Sequence, residues 1–420
     1  MTTLSAEVIV VGGGPAGAAL SAELAGRGRS VLLADRATFP RPKACGECVN
    51  PGAVAALGRL GLLSGVYATS PVTLRGWELV TPGGRSAWAA FPGGARALGV
   101  DRRTFDAALL AEARRRGVRV IEGVRVRHVV AGSSDAAARA SGDRHSGEKY
   151  VLEGDILVGA DGLRSVVARE VGALRRRPRL RKSSLTWRIR GFGPTRDRGR
   201  LLLASGITVG LAPVPGGPGQ DDRWNATLVV EGKGSEGLRG RGWALLRDRL
   251  GRLTHDWVDE PRPEAGPWGS GPFDCPTSAV VVGRTLLVGD AAGYYDPLTG
   301  QGIFRALRGA ELAAEAIDRA LKRPRESSPS EPRRVTRLVD RTPLDGYARS
   351  LARAFSPGRR VQRAVEGVVS RPALREPALA ILGRWPAGGR LLAGVTGDVP
   401  AAGAGVGMNE DTRRLDADGG

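Results

Sequence analysis

Cysteine is scarce in this chain, three in 420 residues, which excludes a disulfide framework and fits a reducing compartment, the cytoplasm. The first eleven residues hold no basic n-region, apolar h-region or small-residue cleavage site, so they do not read as a secretory signal. Long hydrophobic runs are missing too. No window reaches about 18 apolar residues without a charge, and the nearest, 378–396, is interrupted by Arg384, Pro386 and Arg390. Nothing is expected to span a bilayer, while peripheral contact with a membrane surface stays open.

Histidine is equally rare. His128, His145 and His255 are scattered, Cys275 is remote from the Cys45/Cys48 pair, and no second C-x-x-C exists, so no metal site is expected. There is no G-x-S-x-G followed by Asp and His, no H-E-x-x-H and no G-x-x-x-x-G-K-[ST], which removes hydrolase, zinc-protease and P-loop readings. Lysine supplies only 5 of the 63 basic residues, and the arginines are spread through every segment rather than gathered in a stripe with aromatics. The net charge of +20 therefore does not read as a nucleic-acid surface. It reads as compositional bias that would also draw the protein toward anionic lipid or an acidic electron-donor protein.

What is present is 41% apolar residues over 420 positions, enough for two or three domains. Glu7–Val11 reads as a buried strand, Pro15–Arg27 as a helix and Ser30–Ala34 as a second strand, a βαβ unit. Val72–Phe91 alternates around Pro82-Gly83-Gly84 and predicts a small antiparallel sheet; a helix follows at Arg103–Arg116 and a strand at Val118–Ile121. The stretch 131–149 looks like a solvated hairpin excursion before a strand at Ile156–Val158. Ser183–Phe273 reads as strands of a second sheet, and 322–337 as a linker into a helical end.

The βαβ unit contains Gly12-Gly13-Gly14-Pro15-Ala16-Gly17, a G-x-G-x-x-G. In so glycine-rich a chain, with 62 glycines, about one such match arises by chance. Context gives it meaning: an apolar strand enters it, an apolar helix leaves it, and Asp35 follows 23 residues after Gly12. Gly12 would allow the tight turn, Gly14 the approach of a diphosphate and Gly17 the packing of helix on strand, with the diphosphate at the helix N-terminus. Asp35 would accept from ribose hydroxyls, and Arg36 would flank the adenine.

Four further segments, in order, carry a family likeness. Leu286–Leu307, LLVGDAAGYYDPLTGQGIFRAL, resembles the flavin-binding signature of the geranylgeranyl reductase family and its relatives, the single-component aromatic hydroxylases. Val158–Arg169, VGADGLRSVVAR, resembles their internal D-G motif, and Arg102-x-x-Phe105-Asp106 their arginine at a helix start. Phe39–Glu47, FPRPKACGE, resembles the P-x-x-K-x-C-G-E stretch of the reductase branch. The resemblance covers roughly residues 1–60, 98–120, 155–170 and 280–320, and the cofactor it implies is FAD.

The resemblance implies roles. Asp290, after Gly289, would bind the ribityl chain. Pro297, Gly300, Gln301 and Gly302 would lead into a helix near Ile303 whose N-terminus faces the flavin pyrimidine edge, where its dipole favours the reduced form. Arg102 would hold the diphosphate or a nearby sugar, and Asp161 the loops near the cofactor. Cys45, Glu47 and Lys43 are the candidate catalytic residues, with Tyr294, Tyr295 and Asp296 as further candidates. No second nicotinamide-binding unit is read, so NAD(P)H or a reduced electron carrier would dock transiently.

The expected architecture is α/β: a Rossmann-type FAD-binding domain around a parallel sheet (1–71, 98–180 and 275–322), an antiparallel substrate sheet (72–97 and 181–274), a linker (323–337) and a C-terminal helical segment with a disordered tail (338–420). The expected function is an FAD-dependent oxidoreductase acting on a hydrophobic small molecule. Reduction of C=C bonds is favoured by the C-G-E and D-P-L-T-G-x-G-I forms. Hydroxylation of a phenolic or polyketide-like substrate with NAD(P)H and O₂ is the alternative, and a non-enzymatic flavin electron relay a further one. The absence of W-x-W-x-I-P disfavours halogenation.

Overall fold

The computed structural model describes residues 1–133, 136–174, 182–191, 193, 195–216, 222–232, 238–321 and 339–399. The first strand, Thr2–Val11, is buried at Val8–Val11 and more open before it. It is longer than the apolar run alone, because its polar first half also pairs, in parallel, with Lys149–Gly159. Val31–Ala34 lies in parallel on its other side, followed by Arg119–Ile121; beyond Lys149–Gly159 come Thr285–Leu287 and Val281–Val282. Strands covered on both faces have no polar side to present, which is why the central four read as unbroken Val/Ile/Leu runs.

Helices Pro15–Gly26, Arg102–Arg115 and Gly302–Leu321 cover one face in a shared core that includes Leu20, Leu24, Phe105, Leu109, Leu307 and Ile317. The hairpin Val124–Val130/Ala138–Arg144 attaches antiparallel to Lys149–Gly159 and helps cover the other face. The stretch from 131 is therefore more than a solvated excursion: Ala138 and Ala140 are fully buried.

The second sheet runs, in order, Arg262–Ser270, Lys182–Arg190, Arg223–Glu231, Ile207–Pro213, Arg198–Ala204, Gly76–Val80, Ser86–Ala90. All its pairs are antiparallel except Arg198–Ala204 with Gly76–Val80. Val72–Phe91 thus does not form a sheet of its own. Its hairpin extends this one, while Val72–Leu74 joins Cys48–Val49 and Ala97–Gly99 in a third, three-stranded sheet.

One face of the seven-stranded sheet packs Trp187, Ile189 and Trp224 against helix Leu238–Leu250. That helix interrupts a stretch expected to be strands only. Gly240 and Gly242 weaken its helical signal, at about 1 kcal/mol each in a helix interior, and burial of Leu246 and Leu250 overrides them. The opposite face looks toward three C-terminal helices, Thr342–Val369, Pro372–Arg384 and Pro386–Thr396. Leu379 packs with Ala87 and Leu203, and Ala393 with Ala89 and Phe91. The expected linker 323–337 and the tail from residue 400 lie outside the described residues. No described helix is long and apolar enough to cross a membrane.

The α/β reading holds, with a parallel Rossmann-type sheet, an antiparallel sheet and a helical end. The glycine turn tests how tightly it is built. A Cβ on Gly17 would lie 1.9 Å from the Gly12 carbonyl oxygen, whereas a Cβ on Gly13 meets its nearest neighbours at 3.4 Å. Gly17→Ala should therefore lower unfolding stability by about 1–3 kcal/mol, and Gly13→Ala should change it by less than about 0.5 kcal/mol, as read by urea denaturation.

Candidate active site

The turn after the first strand sets the first half of the site. Gly12, at φ +109°, reverses the chain while its amide donates to the Ala34 carbonyl at 2.8 Å. The Asp35 carboxylate accepts from the Gly13 amide at 2.6 Å and the Ala37 amide at 2.7 Å, so this buried acid braces the loop. Arg36 is exposed and off the cavity wall. Helix Pro15–Gly26 starts with proline and has no side-chain cap, leaving the amides of its first turn without a capping acceptor.

Three cations surround that helix start. Arg102, buried, donates from Nε and Nη2 to Asp106 at 2.7 and 2.8 Å. Arg41 reaches the same carboxylate at 3.5 Å and lies 3.8 Å from where a Gly14 Cβ would stand. Lys43 completes the group, its ammonium pushed below the ordinary lysine range by burial and then by the charge of Arg102. Asp106 pairs with both arginines and Asp290 also faces Lys43, so the three cations still outnumber the acids near this helix N-terminus, which fits a diphosphate.

The second half comes from the far end of the sequence. Gly289, at φ +63°, turns the chain so closely that its Cβ would lie 2.9 Å from that of Ala16. Asp290 then lines the same cavity as Gly14, Pro15 and Ala16, together with Pro297, Gly300, Gly302 and Ile303 at the start of the long helix. Gln301 turns away and donates to Asp398 at 2.8 Å; Asp398 also accepts from Asn50 at 2.9 Å. Asp161 stands behind the wall and caps helix Val166–Glu170, accepting from Ser165 at 2.5 Å and the Val166 amide at 2.7 Å. Its neighbour Gly162 lines the cavity. The Asp290 carboxylate, on the cavity wall, is free to accept from hydroxyl donors of a bound ligand, whereas Asp35 does not line the cavity.

The loop that carries the candidate catalytic residues is tied to the seven-stranded sheet and to the start of helix Arg102–Arg115. The Cys45 carbonyl accepts from Asn225 at 3.0 Å and Thr227 at 3.2 Å on the seven-stranded sheet, and the half-buried Cys45 lines the cavity. Glu47, buried with φ +54°, accepts from the Arg102 amide at 3.0 Å and pairs with Arg188 at 2.7 Å. Burial pushes its carboxyl up to about 7, against the pull of Arg188 and with the help of Asp101. Cys48 is a free thiol facing the core, and burial pushes its pKa up, which disfavours a thiolate. Tyr294 is packed on Phe273 with ring centroids 5.5 Å apart, its phenol raised well above the usual range by burial.

From this point the cavity, about 690 Å³ in volume, continues between the seven-stranded sheet and the C-terminal helices. Trp77, Leu79, Leu201 and Leu203 form one wall, and Val365, Val369, Leu382 and Leu392 the other. A polar patch interrupts it: Lys182 pairs with Asp296 at 2.9 Å and with Glu366. Tyr295, half-buried, is not on the wall. The sequence reading missed Arg41, although it lies within the quoted FPRPKACGE stretch. It also missed Arg188, Lys182 and Glu366, which carry no local signal in a chain with so many charges.

The FAD binding domain family model matches residues 5–327. A menaquinone reductase of Mycobacterium tuberculosis is 32% identical over 326 residues, 75% of this chain and 77% of the relative. A digeranylgeranylglycerophospholipid reductase of Methanothrix thermoacetophila is 28% identical over 323 residues, 74% of this chain and 77% of the relative. Among solved structures, a p-nitrophenol 4-monooxygenase of Pseudomonas putida superposes with a TM-score of 0.74 at 18% identity, covering 95% of this chain and 98% of the other. Both branches of the resemblance are thus represented, the second by fold alone.

Glu47 generates a test. Its folded-state pKa is raised, so the stability it contributes is fully present below the ordinary carboxylate pKa of 4.5 and is lost as pH rises through about 7. In Glu47→Gln the decline of urea-unfolding stability between pH 5 and 8 should flatten. A remainder should persist from Asp398, also pushed up to about 7 by burial. Arg188→Met, which removes the counter-charge, should instead move the decline to higher pH. An unchanged profile in both variants would contradict the assignment.

Proposed function

The chain belongs to the FAD-binding-domain family and is an FAD-dependent oxidoreductase, and on that premise we propose that it reduces carbon–carbon double bonds in the isoprenoid chain of a lipid-soluble substrate. The observation that carries this reading is the lining of the cavity. It leads from the cofactor cradle into a space between sheet and helices walled mainly by Leu, Val and Trp side chains, which suits a strongly apolar substrate. Both reductases among the relatives are named for molecules that carry isoprenoid chains.

When bound, the flavin supplies two-electron hydride transfer, recharged by NAD(P)H or a reduced carrier. The protein's own part is to hold and to protonate. Arg41, Arg102 and the first turn of helix Pro15–Gly26 would grip the diphosphate, and Asp290 the ribityl chain. Reducing a C=C bond takes a hydride at one carbon and a proton at the other. Glu47, on the cavity wall with its carboxyl near neutrality, is the proton donor we favour, since a proton donor works best when its pKa lies near the working pH. Cys45 shapes the wall beside it, and Lys43 offsets negative charge that develops on reduction.

Two measurements check this reading. The protein should be yellow and release FAD on denaturation, and Asp290→Ala should weaken FAD retention on the order of tenfold, as expected for one lost charge-assisted hydrogen bond. Under anaerobic conditions, the reduced protein mixed with menaquinone or a geranylgeranyl lipid should be reoxidised while the isoprenoid chain of the product gains two hydrogens, a gain that mass spectrometry still reads after any quinol ring has been reoxidised to the quinone. A product that gains oxygen, formed only when O₂ is admitted, would overturn the reading in favour of hydroxylation.

A further inference from the structure

We propose that helices Pro372–Arg384 and Pro386–Thr396 dock on the surface of an anionic lipid bilayer and open the cavity toward it. Five large apolar side chains, Leu374, Ile381, Trp385, Leu391 and Val395, are exposed here at 41–65% of their surface. The other large apolar residues exposed among the described ones, Met1, Tyr67, Trp88, Val130 and Val258, are dispersed along the chain. Leu374 and Ile381 stand two turns apart on one helix face, Leu391 and Val395 one turn apart on the next, with Trp385 at the junction. The inward sides of the same helices are used up: Leu379 and Ala393 are buried against the seven-stranded sheet's edge.

Charge selects the occupant. Between residues 367 and 397 the sequence carries Arg371, Arg375, Arg384 and Arg390 against a single acid, Glu376. That acid accepts from Thr81 at 2.9 Å and faces Arg85 at 3.6 Å, away from a free role. Arg371, Arg384 and Arg390 are exposed beside the apolar residues. Arginine flanking Trp, Leu and Ile is the pattern of an interfacial helix, whose apolar side enters the headgroup boundary while its cations meet anionic lipid. A second copy of the same patch would bring like charges together in a chain already at +20.

The surface is also continuous with the site. Ile381 and Trp385 are at once exposed and part of the cavity wall, so the mouth lies where the bilayer would be. An isoprenoid chain could then pass from lipid to cavity without crossing water, which would otherwise cost about 0.8 kcal/mol for each exposed methylene. This deepens the proposed reduction of a lipid-soluble substrate and rests on it for its purpose, but the test needs no turnover.

The FAD-loaded full-length protein is floated with vesicles of phosphatidylcholine alone or with about 30% phosphatidylglycerol. Binding should require the anionic lipid and weaken severalfold as salt rises. Leu374→Asp/Leu391→Asp, at two positions off the cavity wall, should lower binding at least tenfold with FAD content and melting temperature unchanged. Arg384→Gln/Arg390→Gln should lower it and flatten the salt dependence. Equal binding to both vesicle types, no binding, or binding indifferent to these variants would overturn the proposal. So would sedimentation showing a dimer that the aspartate variant dissolves, since that outcome assigns the patch to a second copy. If vesicles bind but no substrate is reduced, the docking surface stands and the reading of the reaction falls.

Discussion

Close approach of glycine backbone to its neighbours at the carboxyl edge of the parallel sheet is the constraint on which this molecule depends. Gly12 faces the Ala160 carbonyl, Gly17 the Gly12 carbonyl and Gly289 the Ala16 methyl, each at a distance where an added Cβ would find 2.9 Å or less. Three segments separated by well over a hundred residues are thereby drawn to one line. Two helix N-termini, at Pro15 and Gly302, emerge from that line toward the same cavity. With side chains at these glycines the helix starts would stand apart, and no single dinucleotide could touch both.

Electrostatics follows from the packing. Arg102 and Arg41 share the one carboxylate of Asp106, and Lys43 feels Asp290 as well, so burying the three cations together is costly and an anionic ligand would relieve it. The Glu47 site is the mirror case: a buried acid whose desolvation outweighs one arginine, leaving its proton near the balance point at neutral pH. The Arg102 amide donates to Glu47 while its guanidinium holds Asp106, so one residue ties the cluster of cations to the buried acid.

Much of the cofactor half was legible in the sequence, because a strand, a glycine turn and an apolar helix are local and close in sequence. The Gly289–Ile303 stretch was legible only through family likeness, since nothing local in it says that it meets Gly12. The substrate half was harder. Helix Leu238–Leu250 is masked by its arginines and two glycines, and strand Ala138–Arg144 by polar residues that turn outward on an attached hairpin. Lys182, Glu366 and Arg188 become a site only when strands and a helix far apart in sequence converge. Asp35 was expected to accept from a ribose, and what its carboxylate does in the structure is brace its own loop, a contact that spacing alone does not reveal.

The three C-terminal helices form a roof joined to the rest by side chains and a few backbone contacts, not by strand pairing. At its far end the roof is fastened through Asp398 to Gln301 and Asn50, and through the Gly397 carbonyl to the Gly52 amide at 2.8 Å. Asn50 caps the helix Pro51–Arg59, and Gln301 immediately precedes the long helix at the cofactor edge. Roof height is thus set by leucines and valines that can be exchanged without disturbing a β-ladder, while the fastening keeps its end aligned with the cofactor. A fold of this kind can be refitted to longer or shorter apolar ligands one residue at a time, with the cofactor end left as it was.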